Sequence, residues 1–370
     1  MNLFSRPNIF RIVLLFIIMC QASYAQLLEN PFQDYQFHEP KYFIDIIMNS
    51  KIKYMIIVDS TLSDNEFVLN KESYSQSPIN PYYNIEVSTD GSISLVLDFA
   101  PDNVRNVFDS AEAIFKERYY SKALSLYEKV TELAPQWFKG WAYMADCYYH
   151  LQEFENAEKY FLKALELNEI GYQEHFFLAD AYHAMNKPEK ALEHISVAFA
   201  INRNSSNIKA SFDRILNANS LNYKQNRLSY KAKFSKTNDS ACEIRLGSDA
   251  PPSTMFMMFC YAVWEMEPEF TSKMKLDSIN GKITKIKEIL ITKAVSINAM
   301  QENNEEITKE EKLFFEALNE GYLDAIIYWD ILAIDHPKVV LLLPKELKKK
   351  IKEYILKYCV EKVNSERIEK

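Results

Sequence analysis

Apolar and polar residues alternate along residues 104–201 with the period of amphipathic helices packed in pairs. The pattern predicts six helices, at 104–117, 121–133, 138–151, 155–167, 172–185 and 189–201. A polar stretch of a few residues separates each helix from the next, so consecutive helices are expected to be antiparallel neighbours. The middle of the chain is therefore predicted to be an array of helical hairpins.

The same residue types return every 34 positions in this array. Four columns keep the period over three copies: Ala111, Ala145 and Ala179; Ala123, Ala157 and Ala191; Ile114, Tyr148 and Tyr182; and Val130, Ala164 and Ala198. In the second copy, the conspicuous positions are Trp141, Met144, Ala145, Tyr148, Ala157, Phe161 and Ala164. The strip resembles the tetratricopeptide repeat (TPR) family, whose helix–turn–helix unit has this length.

The resemblance implies a solenoid, because one hairpin cannot bury its apolar face alone and must stack on its neighbours. The family usually places glycine in the turn between the two helices of a unit. Arg118, Gln152 and Asn186 occupy that place in this chain, and we interpret the departure as minor.

Residues 1–25 have the organisation of a secretory signal peptide. Arg6 and Arg11 form a positive region, and residues 12–20 are an unbroken apolar run. The small residues of Ser23-Tyr24-Ala25 then predict cleavage before Gln26. The protein is therefore expected to be exported, to the periplasm or the cell surface of a bacterium.

Two alternatives concern the same segment. An uncleaved membrane anchor is disfavoured because the apolar run at 12–20 falls well short of the ~20 residues that a membrane span needs. A lipid anchor on Cys20 is disfavoured because the bulky Met19 precedes it.

The residues between the signal peptide and the repeats have a different pattern. β-Forming residues are concentrated in Lys51–Ser60, and Asp90-Gly91 separates two alternating stretches within Ile85–Phe99, which predicts a β-hairpin. We expect a small α+β or β-rich lobe that packs on the first repeat. An irregular leader is the alternative.

Beyond the repeats the chain is predicted to be mostly helical. Asn207–Asn217 has the pattern of a helix that caps the solenoid, and residues 221–252 form a polar connector with possible strands at Leu228–Phe234 and Cys242–Leu246. Ser253 is predicted to cap a buried helix that runs through Trp264.

Two further helices complete the C-terminal prediction. Thr308 and Glu311 form a capping box before a helix that Gly321 can end, and Tyr322–Ile334 follows as the next helix. The lysines of a last helix from Pro344 are expected on its solvated side, and contact with a membrane surface is the less favoured interpretation.

The predicted fold class is mainly α, a TPR helical-hairpin solenoid with a small N-terminal α+β lobe and a C-terminal helical region. The predicted domains are the signal peptide at 1–25, the lobe at 26–101, the repeats with their capping helix at 102–220 and the mostly helical C-terminal region at 221–370.

Composition and motifs narrow the function. The six glycines are scattered and the net charge is −8, so neither a phosphate-binding loop nor electrostatic binding of nucleic acid is expected. No histidine, serine or cysteine motif of a known catalytic type is present. We therefore expect no catalytic residue, no cofactor and no metal, and a protein that is not an enzyme. An enzyme site within 221–370 remains an alternative, because catalytic groups can assemble from distant positions.

The resemblance also implies a binding surface, because the first helix of each TPR unit lines a concave groove where partner peptides lie. The groove residues that it implies are Phe108, Glu112, Phe115, Tyr143, Asp146, Tyr149, Phe177, Asp180 and His183. Chaperone-binding TPR domains hold a peptide carboxylate with Asn and basic residues, whereas an acidic column here would repel one.

The expected partner is therefore another envelope protein that presents a basic, aromatic segment, and the protein is predicted to act as an adaptor or scaffold. The alternative interpretation of the acidic column is that water solvates these acids and that no partner binds them. A glycan- or small-ligand-binding protein is an alternative function, and it requires Tyr143, Tyr149 or Phe177 to be exposed and coplanar.

Overall fold

A computed structural model describes residues 38, 40–63, 66–69, 79–225, 228–276 and 278–363, with side chains described except at 40 and 274–279. The described chain divides into two compact units. The first unit combines the residues up to 69 with residues 228–327, and the second combines residues 79–225 with residues 328–363. The predicted signal peptide lies outside the described residues.

The helices of the described chain are α1 (Pro40–Asn49), α2 (Arg105–Lys116), α3 (Tyr120–Leu133), α4 (Phe138–His150), α5 (Phe154–Leu167), α6 (Tyr172–Ala184), α7 (Pro188–Ile201), α8 (Ser206–Ala218), α9 (Pro252–Met266), α10 (Pro268–Leu276), α11 (Ser278–Glu302), α12 (Lys309–Asn319), α13 (Leu323–Ala325), α14 (Ala333–Asp335) and α15 (Lys345–Tyr358). A π-helical segment, Ile326–Leu332, joins α13 to α14, and a 3₁₀ segment, Pro337–Leu342, precedes α15.

The strands are β1 (Lys53–Val58), β2 (Phe67–Val68), β3 (Tyr83–Val87), β4 (Ile93–Leu97), β5 (Leu221–Tyr223), β6 (Ser229–Tyr230), β7 (Ala232–Asn238), β8 (Ala241–Leu246) and β9 (Val360–Lys362).

The repeat helices α2–α7 confirm the sequence prediction, and each bound agrees with it to within one residue. The alanines of the repeat columns explain the packing. Ala145 of α4 and Ala157 of α5 are both fully buried, as are their equivalents in the other hairpins. Small side chains at these positions let the paired helices approach closely, because a larger side chain would have no space.

The turns within the three hairpins show why glycine is common there in the family. Arg118, Gln152 and Asn186 have φ angles of 66°, 63° and 54°. This left-handed conformation crowds the Cβ atom of any residue except glycine, and asparagine tolerates it best of the three. The chain therefore keeps the family's turn geometry at a local energetic cost.

The predicted capping helix is confirmed as α8, in which Ile208, Phe212, Ile215 and Leu216 are buried. Ser205 caps its N-terminus, since its hydroxyl accepts a hydrogen bond from the amide of Ile208. The ring of Phe212 stacks on Phe199 of α7, with centroids 4.6 Å apart. The helix thus covers the last apolar face of the repeat array.

The predicted lobe at residues 26–101 is divided between the two units. In the first unit β1 pairs in parallel with β8, which pairs in antiparallel with β7, so the sheet order is β1-β8-β7. The hairpin of β3 and β4 belongs to the second unit. The hairpin turn agrees with its sequence signal, and Gly91 has the positive φ, 82°, that the turn requires. The partner of β1 is a strand that follows the whole repeat array in the sequence, so β1 belongs to the first unit.

The core of the first unit centres on α9, whose methionines and aromatic residues are buried against α1 and the sheet.

The prediction that Ser253 caps this helix is wrong. Proline favours the first position of a helix, so Pro252 begins α9 and Pro251 precedes it. The capping box of Thr308 and Glu311 is confirmed at the start of α12. In the described ranges, no helix has the length and apolar character needed to cross a membrane.

The C-terminal helix α15 corrects a second expectation. Two of its lysines lie against acids of the repeat array and not on a solvated face: Lys348 pairs with Glu169 at 3.6 Å, and Lys352 with Glu193 at 3.5 Å. The predicted helix Tyr322–Ile334 is interrupted by the π-helical segment, which places Trp329 and Asp330 in the interior.

Candidate partner-binding groove

The three acids predicted for the groove lie on the first helices of the three hairpins. Glu112 is on α2, Asp146 on α4 and Asp180 on α6, and all three are half-buried. Glu112 acts on Asp146 electrostatically. Burial raises the pKa of Tyr149, and the charges of Asp180 and Asp146 add to this shift. The structure therefore brings the acidic column together.

Two of these acids already have partners in the protein. The Tyr127 hydroxyl donates to Glu112 at 2.5 Å. Asp180 accepts hydrogen bonds from Ser211 at 2.8 Å and from Arg214 at 2.5 Å, and both donors lie on α8. The three acids of the column are therefore not equivalent, because Arg214 of the capping helix neutralises Asp180 at one end.

Asp146, at the centre of the column, is different. Its Oδ1 atom is buried and has no hydrogen-bond partner among the described residues. Burial raises the pKa of Asp146 well above its usual value; Lys139 opposes this shift, while Glu174 and Glu112 add to it. An unpaired buried carboxyl oxygen costs free energy unless an incoming group satisfies it.

A buried ion pair lies beside Asp146. Lys139 of α4 and Glu174 of α6 are 2.9 Å apart, and their side chains are 3% and 2% exposed. The Lys139 ammonium also donates to Gln173 at 3.3 Å. A Cβ atom at Gly171 would come within 2.6 Å of the Glu174 carboxylate, which would then have to shift within its ion pair. This pair links the second hairpin to the third.

Two of the aromatic residues predicted for the groove make contacts within the protein. Phe108 is buried, with its ring edge-on to Trp137 at 4.9 Å. Tyr143 stacks on Tyr127 and shares a hydrogen bond of 2.9 Å with the Tyr82 hydroxyl. Phe108 is therefore not available to a partner in the described structure, whereas Tyr143 is half-buried and its contact with a partner stays a prediction.

The other predicted residues remain at the surface of the groove. Phe115, Tyr149, Phe177 and His183 are half-buried. The rings of Tyr149 and Phe177 are 5.7 Å apart and inclined by 54°. They are not coplanar, so the condition set for a stacked glycan is not met. The His183 side chain makes no hydrogen bond, ion pair or ring contact within the described ranges.

One feature of the groove could not be found from the sequence. The residues 79–99, which we call the N-terminal strap, lie against the first turns of α4 and α6. Tyr172 donates to the carbonyl of Ile79 at 2.5 Å, and Trp137 donates to the carbonyl of Asp98 at 3.0 Å. Backbone carbonyls accept these bonds, so no side-chain motif in the strap signals them. The ring of Tyr82 in the strap lies beside the Lys139 ammonium, 5.5 Å from it.

Comparisons with known proteins agree with this architecture. Residues 138–169 match the family model of the tetratricopeptide repeat. No curated protein matches the chain.

Among solved structures, the chain is similar to the Arabidopsis OM64 TPR domain (16% identity, covering 31% of this chain and 95% of that one, TM-score 0.31). It is also similar to the first TPR of Spaghetti (RPAP3) bound to an HSP90 peptide (20% identity, 33% and 98%, TM-score 0.31). A third is YrrB, described as a TPR protein with an unusual peptide-binding site (14% identity, 62% and 90%, TM-score 0.29).

The helical hairpins, their regular period and the family match define the class of protein. The chain is a mainly α-helical protein that carries the tetratricopeptide repeat, a module of protein–protein interaction.

Proposed function

We propose that the protein is an exported, non-catalytic adaptor whose groove binds a basic, aromatic segment of another envelope protein. The groove is here the surface formed by Phe115, Asp146, Tyr149, Phe177 and His183. The repeat class supports a protein partner, and the groove residues favour the chemistry of that partner.

The unpaired oxygen of Asp146 is the observation that carries the proposal. It lies between Glu112 and Asp180, both of which already accept hydrogen bonds from the protein. A lysine or arginine of the partner would contact the exposed part of the Asp146 side chain and place a positive charge beside its unpaired oxygen. Hydrogen bonds to charged groups contribute about 1.5–3 kcal/mol each. A carboxylate ligand would instead be repelled.

The aromatic surface next to Asp146 favours a cation as well. Tyr149 and Phe177 are half-buried, so their rings offer a fixed apolar wall. Cations over such rings gain about 0.5–2 kcal/mol. An aromatic residue of the partner would pack against the same wall.

Export is supported by the positive and apolar regions of residues 1–25 and by the small residues that end them. The intact mass of the protein recovered from the envelope of its host should correspond to a chain that begins at Gln26. A mass that corresponds to a lipid-modified chain starting at Cys20 would refute export as a soluble protein.

A peptide-display selection against the purified chain tests the groove. We expect selected peptides to contain Lys or Arg beside an aromatic residue. The variant Asp146→Asn keeps the shape of the side chain and should weaken these peptides about tenfold or more.

Asp109→Asn is the matched control, because Asp109 is an exposed acid of α2 and its loss removes the same charge. It should leave affinity within about twofold at physiological salt, since exposed charges are screened there. Equal losses from both variants, or selection of acidic peptides, would refute the groove as the site.

A further inference from the structure

A cavity in the first unit has no role in the repeat array. Its volume is about 470 Å³, within the range of ~300–1,000 Å³ typical of small-ligand pockets. It is lined by the β6–β7 region, the starts of α9 and α12, and one side of α11. Tyr230, Lys293, Glu311 and Thr308 contribute polar groups, and Phe314 and Pro251 contribute apolar surface.

The buried charges of this cavity neutralise one another. The Lys293 ammonium lies 3.5 Å from Glu311 and 3.2 Å from the Ser253 hydroxyl, and the side chains of Lys293 and Glu311 are 3% and 5% exposed. Ser253 donates to Glu311, and Glu311 also accepts from the Thr308 amide at 3.0 Å. Burial lowers the pKa of Lys293 to about 8, and Glu311 opposes this shift.

The charges at the rim are also largely paired. Lys231 lies 2.7 Å from Asp249, and Glu310 is exposed to solvent. An anionic ligand would have to compete with Glu311 for Lys293, and a cationic ligand would have to compete with Lys293 for Glu311. Breaking a buried pair is costly because it leaves one charge uncompensated. The lining therefore favours a ligand without net charge.

Tyr230 indicates what such a ligand must carry. Its hydroxyl is buried without a hydrogen-bond partner among the described residues. Burial, reinforced by Glu311, raises the pKa of Tyr230, so the hydroxyl keeps its proton and can donate as well as accept. Its ring faces the Lys293 ammonium at 4.6 Å. A ligand hydroxyl would satisfy the unpaired group.

We propose that this cavity binds a small uncharged ligand rich in hydroxyl groups, of the monosaccharide class. Alternating donors and acceptors of such a ligand match Tyr230, Thr308 and the rim carboxylates without disturbing either ion pair. The proposal is independent of the groove, because every residue that it uses belongs to the first unit.

Calorimetric titration of the full chain tests it. The probes are glucose and N-acetylglucosamine, compared with glucuronate and glucosamine, which add a negative and a positive charge to the same ring. We expect saturable binding of an uncharged sugar and at least tenfold weaker binding of both charged ones. No saturable binding of either uncharged sugar, or tighter binding of a charged one, would overturn the proposal.

The variant Tyr230→Phe assigns the binding to this cavity. It should weaken the uncharged sugar about tenfold, the usual effect of removing one hydrogen bond to a neutral ligand. Tyr42→Phe is the control, since Tyr42 lies on α1 and stacks on His38, outside the cavity. Circular dichroism verifies that both variants fold. Unchanged affinity in folded Tyr230→Phe would place the sugar elsewhere and refute the assignment.

Discussion

Replacing Glu174 by glutamine tests the contact that joins the second hairpin to the third. The change preserves the size of the side chain and leaves the Lys139 ammonium buried without its carboxylate, 2.9 Å away in the native protein. Removing one partner of a buried pair costs about 3–5 kcal/mol. We expect the lower end, about 3 kcal/mol, because Lys139 keeps its bond to Gln173 and is attracted by Asp146.

A loss of this size should be easy to measure. In a unit of this size, each kcal/mol lowers the melting temperature by about 2–4 °C, so Glu174→Gln should melt about 6–12 °C below the parent protein. Urea unfolding followed by circular dichroism gives the free energy. Amide hydrogen exchange of α6 assigns the loss to this place, since the two units need not unfold together.

The control is Glu166→Gln, which removes the same charge from the exposed pair of Lys163 and Glu166, whose side chains are 45% and 65% exposed. Exposed pairs contribute less than about 1 kcal/mol. The double variant Lys139→Met with Glu174→Leu should recover much of the stability, since apolar side chains need no partner. Equal effects of Glu174→Gln and Glu166→Gln would show that the buried pair of Lys139 and Glu174 does not stabilise the second unit more than an exposed pair does.

Three further predictions concern the repeats and the groove. Ala157→Leu should destabilise the protein by about 1–3 kcal/mol in urea unfolding because the residue is fully buried, whereas the exposed Glu155→Ala should change stability by less than about 0.5 kcal/mol. Arg118→Gly relieves a left-handed backbone conformation and should be neutral or stabilising by up to about 1 kcal/mol, whereas Lys116→Gly, within α2, should cost about that amount. A cationic peptide binds the ionised form of Asp146, and burial raises the pKa of this residue in the free protein. The affinity measured by calorimetry should therefore fall as the pH falls through that pKa, by up to tenfold per pH unit. The variant Asp146→Asn should remove this pH dependence.

The repeat array was predictable because its information is local and periodic. The buried columns that contain Ala145 and Ala157 recur once in each hairpin at a constant spacing, and helical periodicity with the intervening polar turns defines each helix. The turn at Gln152 shows the limit of that information. Gln152 adopts a left-handed backbone conformation, which favours glycine, because the helices on both sides of the turn pack against each other.

The division of the N-terminal residues could not be predicted for the opposite reason. The pairing of β1 with β8 depends on hydrogen bonds between segments on opposite sides of the repeat array in the sequence, and neither segment carries a local signal of its partner. The β3–β4 hairpin was predictable because Asp90-Gly91 forms its turn within the segment itself.

The sequence predicts the positions of the groove acids but not which of them are paired with other groups of the protein. The column of Glu112, Asp146 and Asp180 follows from the period alone. The partners of the outer two acids do not, since Tyr127 reaches across its hairpin and Arg214 reaches from the capping helix. Among these three acids, the structure distinguishes Asp146 by a buried oxygen that has no hydrogen-bond partner in the described residues.

Photo-crosslinking in the native host tests whether the groove binds a basic, aromatic segment of another envelope protein. A benzophenone amino acid replaces Phe177 in the groove and, as a control, Leu162, which is 39% exposed on α5. The account predicts that mass spectrometry of the Phe177 crosslinks identifies a segment of an envelope protein with Lys or Arg beside an aromatic residue, and that the Leu162 position does not crosslink to it. Crosslinks from Phe177 to acidic segments, or the same segment captured from both positions, would contradict the account.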